Sequence, residues 1–364
     1  MAATISHEPR ITDPDAVVFR FDGEQTTPAN MIGRMQKYQD EHGYEQDTYA
    51  LGGTVATLEK KAAEVLGTEA AMFVPTGTLA NHLAVRRHCG TRGRAVIQEQ
   101  SHLFTDSGDT VQRLSGINMV PLAEGRVYFT ADELRAAHKR SVTSRVLNPI
   151  GCVIVETPVR RQGGQIVPFE ELQAITGFCR EQGIPSHLDG SRLFMMCAAT
   201  GIAPREYAAM FDTTYFSLYK YFGAPFGAIL GGSARFIDGL YHDRRMFGSG
   251  LPTATLVAGL ALQGMEGFEE RFSAALQKAI DLFDGLNQLE AVSIQPFQHS
   301  SNIFPMKLAE GIDAREFAAR LKKRSVFVFP EEEAFGGSTL LHVNTTVLRR
   351  SNEDIVGAFE EALG

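Results

Sequence analysis

Long apolar runs are missing from this sequence of 364 residues. No stretch approaches the ~20 apolar residues that a membrane-spanning helix requires. Met1–Pro14 is polar and lacks the apolar centre of a secretory signal, so a cytoplasmic protein is expected. Basic runs are missing too: the net charge is −8 and is spread along the chain. That speaks against a nucleic-acid or anionic-membrane partner. A short cluster at Leu321–Ser325 (LKKRS) reads as a solvated helix end. Cysteine is scarce, with Cys89, Cys152, Cys179 and Cys197 in mostly apolar surroundings and no C-x-x-C pair. Reduced, buried thiols are expected, and neither a disulfide framework nor a metal is needed to fold a chain of this size. No metal-ligand set is read from the sequence. The nucleotide signatures are also missing. No G-x-G-x-x-G opens a helix after an early strand, and no Gly-Lys-Ser/Thr follows the Gly77-Thr78 turn.

What is present is an ordinary globular composition, with 44% hydrophobic and 21% charged residues, enough to build a sizeable core. Thr54–Leu66 has helical spacing, Ala70–Val74 reads as a strand, and Leu79–Cys89 reads as the next helix. Further strands are expected at Ala95–Gln98, Cys152–Thr157, Ile184–Asp189 and Thr213–Leu218. Pro168–Gly183 is an amphipathic helix with proline at its start and glycine at its end. Such alternation predicts an α/β fold with a mainly parallel central sheet. From Leu256 a long helical stretch leads out of the alternation. Strands follow at Ala291–Phe297, Ser301–Leu308, Ser325–Pro330 and Thr339–Thr346, and helices at Ala314–Arg324 and Asn352–Leu363. The expected organisation is an N-terminal segment over 1–40 and a large domain over 41–255. A linking helix and a small α+β domain then occupy 256–364.

Four local features fall at or near ends of expected strands, where open α/β sheets form their ligand sites. The first is VPTGTLAN (Val74–Asn81), strand, then Gly77-Thr78, then helix. Its backbone N–H groups and hydroxyl suit an anion, although an ordinary helix cap looks the same. In EQSHLF (Glu99–Phe104), His102 could stack on a flat ligand or carry a proton; the bland alternative is a hydrogen-bonded loop histidine. HLDGSRLF (His187–Phe194) closes an apolar strand on Asp189 and adds Arg192, either a ligand-binding pair or a structural ion pair. SLYKYFGAPFGAILGG (Ser217–Gly232) sets Lys220 in an aromatic, glycine-rich run. A lysine there is either a desolvated amine nucleophile or a cation reaching out to water. Together an amine, a carboxylate, a stacking ring and an anion site make up a pyridoxal phosphate pocket.

These stretches resemble the threonine aldolase and aromatic amino acid β-eliminating lyase family of fold-type-I pyridoxal phosphate enzymes. The resemblance runs from about Asp47 to Leu256 and continues more weakly to the C-terminus. DTYALGGTVATLEKKAAEVLGTEAAMFVPTGTLAN, SHLF, VETPVRRQGGQIVPFEEL, HLDGSRLF, SLYKYFGAPFGAILGG and RRMFGSGLP follow one another in the family's order. The resemblance implies that Lys220 is the Schiff-base lysine, that Asp189 pairs with the pyridine nitrogen and that His102 stacks on the ring. Gly77, Thr78 and Ser217 would hold the phosphate, and Arg192 would contact the cofactor's phenolate oxygen or the substrate. Tyr49 matches a tyrosine that a neighbouring subunit lends to the site, which implies a homodimer or homotetramer.

The implied activity is Cα–Cβ cleavage of a β-hydroxy-α-amino acid to glycine and an aldehyde. β-Elimination or transamination on the same cofactor is the alternative, and a non-catalytic cofactor-binding protein is the alternative of another class. Departures from the family's pattern fall on the substrate side. Val159 stands where aldolases usually have a histidine, and Pro252 where they have an arginine. STLLHVNTTV (Ser338–Val347) lacks the family's carboxylate-binding arginine; His342 is the nearest candidate, with Arg349 and Arg350 beyond. RFDGEQTTP (Arg20–Pro28) only loosely echoes the block that supplies a substrate-binding serine.

Overall fold

Strand after strand in the first two-thirds of the chain is apolar along its whole length, and such strands are stable only with both faces covered. In the computed structural model, which describes residue 11, residues 13–330 and residues 334–364, they form one sheet. Residues 1–10 of the expected N-terminal segment, and so most of Met1–Pro14, lie outside the described residues. After a short β1 (Val17–Val18) come β2 (Ala70–Val74), β3 (Arg94–Gln98), β4 (Asn118–Leu122) and β5 (Ile150–Glu156). They are followed by β6 (Ser186–Asp189), β7 (Thr213–Ser217) and β8 (Ala228–Gly232). The seven-stranded sheet has the order β2-β8-β7-β6-β5-β3-β4, and only β8 runs against its neighbours. Every residue of β5, β6, β7 and β8 is buried. The expected α/β architecture with a mostly parallel sheet is therefore present.

Two strands escape the sequence pattern for identifiable reasons. β4 is an edge strand containing Pro121, where a lost ladder donor is tolerated. β8 ends in two glycines: a Cβ at Gly231 would lie 2.6 Å from Leu66 Cδ1 on the helix above, so a side chain is disfavoured there in a strand that still pairs on both edges.

A separate antiparallel sheet of β9 (Val292–Ile294), β10 (Ile303–Leu308) and β12 (Thr339–His342) has the order β12-β10-β9. It shares an apolar cluster with the helices Phe268–Leu286 and Asn352–Leu363, centred on Leu282, Leu286, Phe317 and Phe359. The long helical stretch expected from Leu256 is two helices, Thr255–Met265 and Phe268–Leu286, divided at Gly267 with φ +56°. β11 (Val326–Phe327) is shorter than expected and pairs in parallel with β1, which ties the N-terminal segment to this part of the chain. The strand expected over Thr339–Thr346 stops at His342 because Asn344 turns its side chain to other work. Its Oδ1 accepts from Thr346 N at 3.0 Å, while its Nδ2 donates to the carbonyls of Val18 and Arg20 at 2.9 and 3.0 Å. All four thiols are buried and free. No helix among the described residues is long and apolar enough to cross a membrane.

Candidate active site

Parallel strands deliver their carboxyl ends to one edge of the sheet, and the loops there surround a cleft of about 980 Å³. Its lining includes Gly77, Thr78, His102, Asp189, Arg192 and Lys220, drawn from the ends of four strands, β2, β3, β6 and β7. Lys220 lies in the connection from β7 to β8, the one antiparallel turn at this edge. Leu218 N donates to Gly227 O at 3.0 Å, closing the loop beneath the lysine. Burial, with the Arg192 guanidinium second, pushes the Lys220 amine down to about 8, against the opposing pull of Asp189 and Asp22. A neutral amine is thus within reach near neutral pH.

Asp189 closes β6 and is 2% exposed. Its Oδ2 accepts from Asn81 Nδ2 at 2.6 Å and its Oδ1 from Ser191 N at 3.2 Å. Asn81 is oriented in turn by His187, whose Nε2 lies 2.9 Å from Asn81 Oδ1, while His187 Nδ1 meets Thr213 Oγ1 at 2.8 Å. Burial holds His187 neutral, pushing it down to about 3. One N–H and one lone pair therefore face the two partners, and the chain Thr213–His187–Asn81–Asp189 carries a single donor direction. No feature of the sequence marked Asn81 or His187 as site residues, although both sit inside stretches that did. Asn81→Ala leaves Asp189 and His187 each short of a buried partner, a loss of about 1–3 kcal/mol. We expect cofactor affinity to fall roughly ten- to a hundredfold for that energy, measured by titrating the apoprotein with pyridoxal phosphate.

The helix Gly77–Cys89 starts two residues earlier than its pattern suggests, with Thr76 Oγ1 capping Leu79 N at 3.2 Å. Its first N–H groups face the cleft edge. A Cβ at Gly77 would overlap the Tyr215 hydroxyl, so only glycine allows the helix start to come this close to β7. Ser217 ends β7 and is not among the residues that line the cleft; it is fully buried, and its Oγ has no hydrogen-bond partner. Such an orphaned hydroxyl can still accept or donate a further hydrogen bond.

His102 opens a one-turn helix, and its backbone N donates to Glu156 Oε2 at 2.5 Å. Glu156 Oε1 accepts from Arg160 N at 3.0 Å, so one buried carboxylate ties two cleft loops together. Burial, and then Asp189 alongside it, pushes Glu156 upward. The His102 ring lies 3.4 Å from Asp106, which Arg161 holds through Nε at 3.1 Å. Arg192 is 9% exposed and donates from Nε to Asp22 Oδ2 at 2.9 Å. Asp22 went unmarked by the sequence reading because its block echoes the family only loosely.

Tyr49 is not among the cleft residues of its own chain. It is 43% exposed, has φ +54°, and packs against the Arg245 guanidinium. Val159 is fully buried in a bridge with Gln165 and does not face the cleft, while its neighbour Arg160 does. Pro252 is exposed and off the cleft; His342 lines it. Among the described residues, no group of three or more His, Cys, Asp or Glu side chains is placed to hold a metal.

Comparison with known proteins places the chain in a family. The family model for "Beta-eliminating lyase" matches residues 24–309. A probable low-specificity L-threonine aldolase 2 of Arabidopsis thaliana is 29% identical over 296 residues, covering 79% of this chain and 82% of its own. An aldolase of Penicillium aethiopicum is 33% identical over 262 residues, covering 70% of this chain and 65% of its own. Among solved structures, one assigned as an aromatic amino acid β-eliminating lyase/threonine aldolase from Exiguobacterium superposes with a TM-score of 0.80. It is 25% identical and covers 96% of this chain and 97% of its own. An ornithine aminotransferase from Toxoplasma gondii, with pyridoxal phosphate at its active site, superposes at 0.63 over 93% of this chain and 84% of its own. At 14% identity that likeness bears on the fold alone.

Proposed function

The chain belongs to the β-eliminating lyase family of pyridoxal phosphate-dependent enzymes, and from that premise we propose that it cleaves the Cα–Cβ bond of a β-hydroxy-α-amino acid, releasing an aldehyde and leaving glycine. The observation that carries the reading is Lys220, half-buried, with its amine drawn down toward neutrality by desolvation in the cleft that Asp189 also lines. The residues present fit the cofactor. Ser217 Oγ is a buried hydroxyl without a partner, Gly77 leaves room at a helix start, and Asp189 is a buried carboxylate held from behind by Asn81. When bound, the cofactor supplies a conjugated ring that accepts the electron pair of a bond broken at the substrate's α-carbon.

The chain's own groups do the rest. Lys220 would be the group that attaches the cofactor covalently and, as the ammonium, would deliver a proton to the substrate's α-carbon. Asp189 would keep the ring nitrogen protonated through a charged hydrogen bond. Gly77, Thr78 and Ser217 would hold the phosphate, and His102 would lie against the ring. Arg192 meets the substrate carboxylate or the cofactor's phenolate oxygen. Tyr49 serves the site of a second copy in a homodimer or homotetramer, which its exposure and separation from its own cleft support. A cytoplasmic location and a small amino-acid substrate complete the reading.

The assay that tests it incubates the holoenzyme with a panel of β-hydroxy amino acids and follows aldehyde against ammonia and keto acid. Aldehyde with stoichiometric glycine is expected. Ammonia and keto acid alone would instead establish the β-eliminating reaction, which the apolar Val159 favours because a valine cannot move the β-hydroxyl proton. The Lys220 amine also sets a pH dependence. Its neutral form exists above about 8 and its charged form below. Only the neutral form attacks, so the rate of cofactor attachment to the apoprotein should rise with pH and level off above that point. Stopped-flow absorbance from pH 6 to pH 10 checks this, and a flat profile across roughly that range would contradict the assigned nucleophile.

A further inference from the structure

Val159 leaves the cleft without the histidine that the family uses on the substrate hydroxyl, so any C–C cleavage here needs another proton acceptor. The candidates among the described cleft residues are mostly engaged. Both oxygens of Asp189 accept hydrogen bonds. Glu24 is bonded to Thr345 at 2.7 Å and to Arg349. His102 is turned to Asp106. Asp22 is different. It is 5% exposed and lines the cleft, yet only Oδ2 is used, by Arg192; Oδ1 is buried and has no hydrogen-bond partner. A buried carboxylate oxygen left unpaired is costly and calls for a donor the free protein does not supply.

The position of Asp22 is enforced from two sides. Behind it, Asn344 grips the carbonyls of Val18, Arg20 and Phe21, and Phe21 adopts φ +68°, a left-handed conformation that is strained for a large side chain. Ahead of it, Gly23 passes so close to the Lys220 loop that a Cβ would stand 2.6 Å from Tyr221 Cα and 2.9 Å from Lys220 O. The segment thus presses its acidic residue against the lysine loop. Lys220 and Asp22 each feel the other's charge.

We infer that Asp22 Oδ1 accepts the substrate's β-hydroxyl hydrogen bond and takes its proton during cleavage, a catalytic role that rests on the Cα–Cβ lyase reading above. The hydroxyl O–H bond breaks and its proton moves to Asp22 Oδ1. The freed electron pair becomes the second C–O bond of the aldehyde. The Cα–Cβ bond breaks, and its pair passes into the cofactor ring. The α-carbon is then protonated by the charged Lys220 ammonium, which regains a proton from the open cleft to which Asp22 releases its own. Burial pushes the Asp22 carboxyl upward, but Arg192 and Lys220 together hold it below its ordinary value, so it stands ionised and ready to accept. It is a weak base against a ground-state alcohol. The hydroxyl becomes far more acidic as its carbon turns carbonyl, and proton transfer then keeps pace with cleavage.

The test compares wild-type and Asp22→Asn holoenzymes in three measurements. Aldehyde release from threonine, allothreonine and phenylserine should fall roughly 10²–10⁴-fold in the variant. Spectral titration should show the wild type binding the β-hydroxy acid about tenfold more tightly than its β-deoxy counterpart, a preference the variant loses. Exchange of the glycine α-proton in heavy water needs no β-hydroxyl, so it should fall at least about tenfold less than aldehyde release, even where the Arg192 contact is weakened. Asp22→Ser replaces the Asn variant if that protein does not accumulate. A retained hydroxyl preference, unchanged aldehyde release, or an equal fall in exchange and cleavage would overturn the assignment, the last by reducing Asp22 to a support for Arg192. Absence of aldehyde from the wild type with all three substrates would instead overturn the lyase reading, and the binding preference would still judge Asp22 on its own.

Discussion

Lys220→Ala is expected to strip the purified holoprotein of its visible absorbance and to lower lyase turnover by about 10⁴-fold or more. The size follows from two roles ending at once, covalent attachment of the cofactor and proton delivery at the α-carbon. The site itself should survive. The Lys220 loop is closed by Leu218 N donating to Gly227 O, a backbone contact that does not depend on the Lys220 side chain. The melting temperature in the absence of cofactor should therefore be unchanged or raised, since a buried amine is removed. Lys220→Arg should fail equally, because a guanidinium is permanently charged and no nucleophile. Spectra and turnover of the two variants side by side check the assignment; a visible band and full turnover in either would refute it.

The second large effect is at Asp189. Asp189→Ala removes the charge that keeps the ring nitrogen protonated. An opposite charge at hydrogen-bond distance favours the protonated form by about ten- to a thousandfold, and turnover should fall by a comparable factor. Structural damage alone would behave differently. Asn81 and Ser191 N lose their acceptor in the variant, which costs stability and affinity at every pH. Loss of the ring proton adds a signature of its own: residual turnover relative to wild type should rise toward low pH, where solvent protonates the nitrogen without help. Charging of the Lys220 amine affects both proteins alike and cancels in that ratio. A ratio that rises as pH falls thus separates electrostatic support from mere packing.

Much of this site was legible in the sequence because its parts are local. A β-strand that ends in Asp189, a turn that carries Lys220 and a helix that starts at Gly77 are each specified by a dozen neighbouring residues, and parallel pairing brings such ends to one edge. Asn81 and His187 were within reach for the same reason. They lie in the same blocks, but only the pairing of β6 beside β7 shows that His187 bridges Thr213 and Asn81. Asp22 was out of reach. It lies 170 residues from Arg192 in sequence, in a segment with little regular structure, and its place depends on Asn344 far along the chain. The short strand β12 shows the same limit. Thr339–Thr346 has a strand's composition throughout, yet Asn344 ends the strand in favour of holding another segment.

The sequence by itself determined the fold class and the family, and it marked the residues proposed for the cofactor half of the pocket. Strand–helix alternation is set by local apolar periodicity, and most of those residues lie at or just beyond the ends of β2, β3, β6 and β7. Only the tertiary structure supplied the facts that bear on the substrate half: which oxygen of Asp22 is left unpaired, that Val159 is buried off the cleft, and that Arg160 lines it instead. The place of Asp22 comes from contacts with Arg192 and, through its neighbours, Asn344, segments far apart in the chain, where burial and hydrogen-bond satisfaction, rather than local pattern, set the outcome.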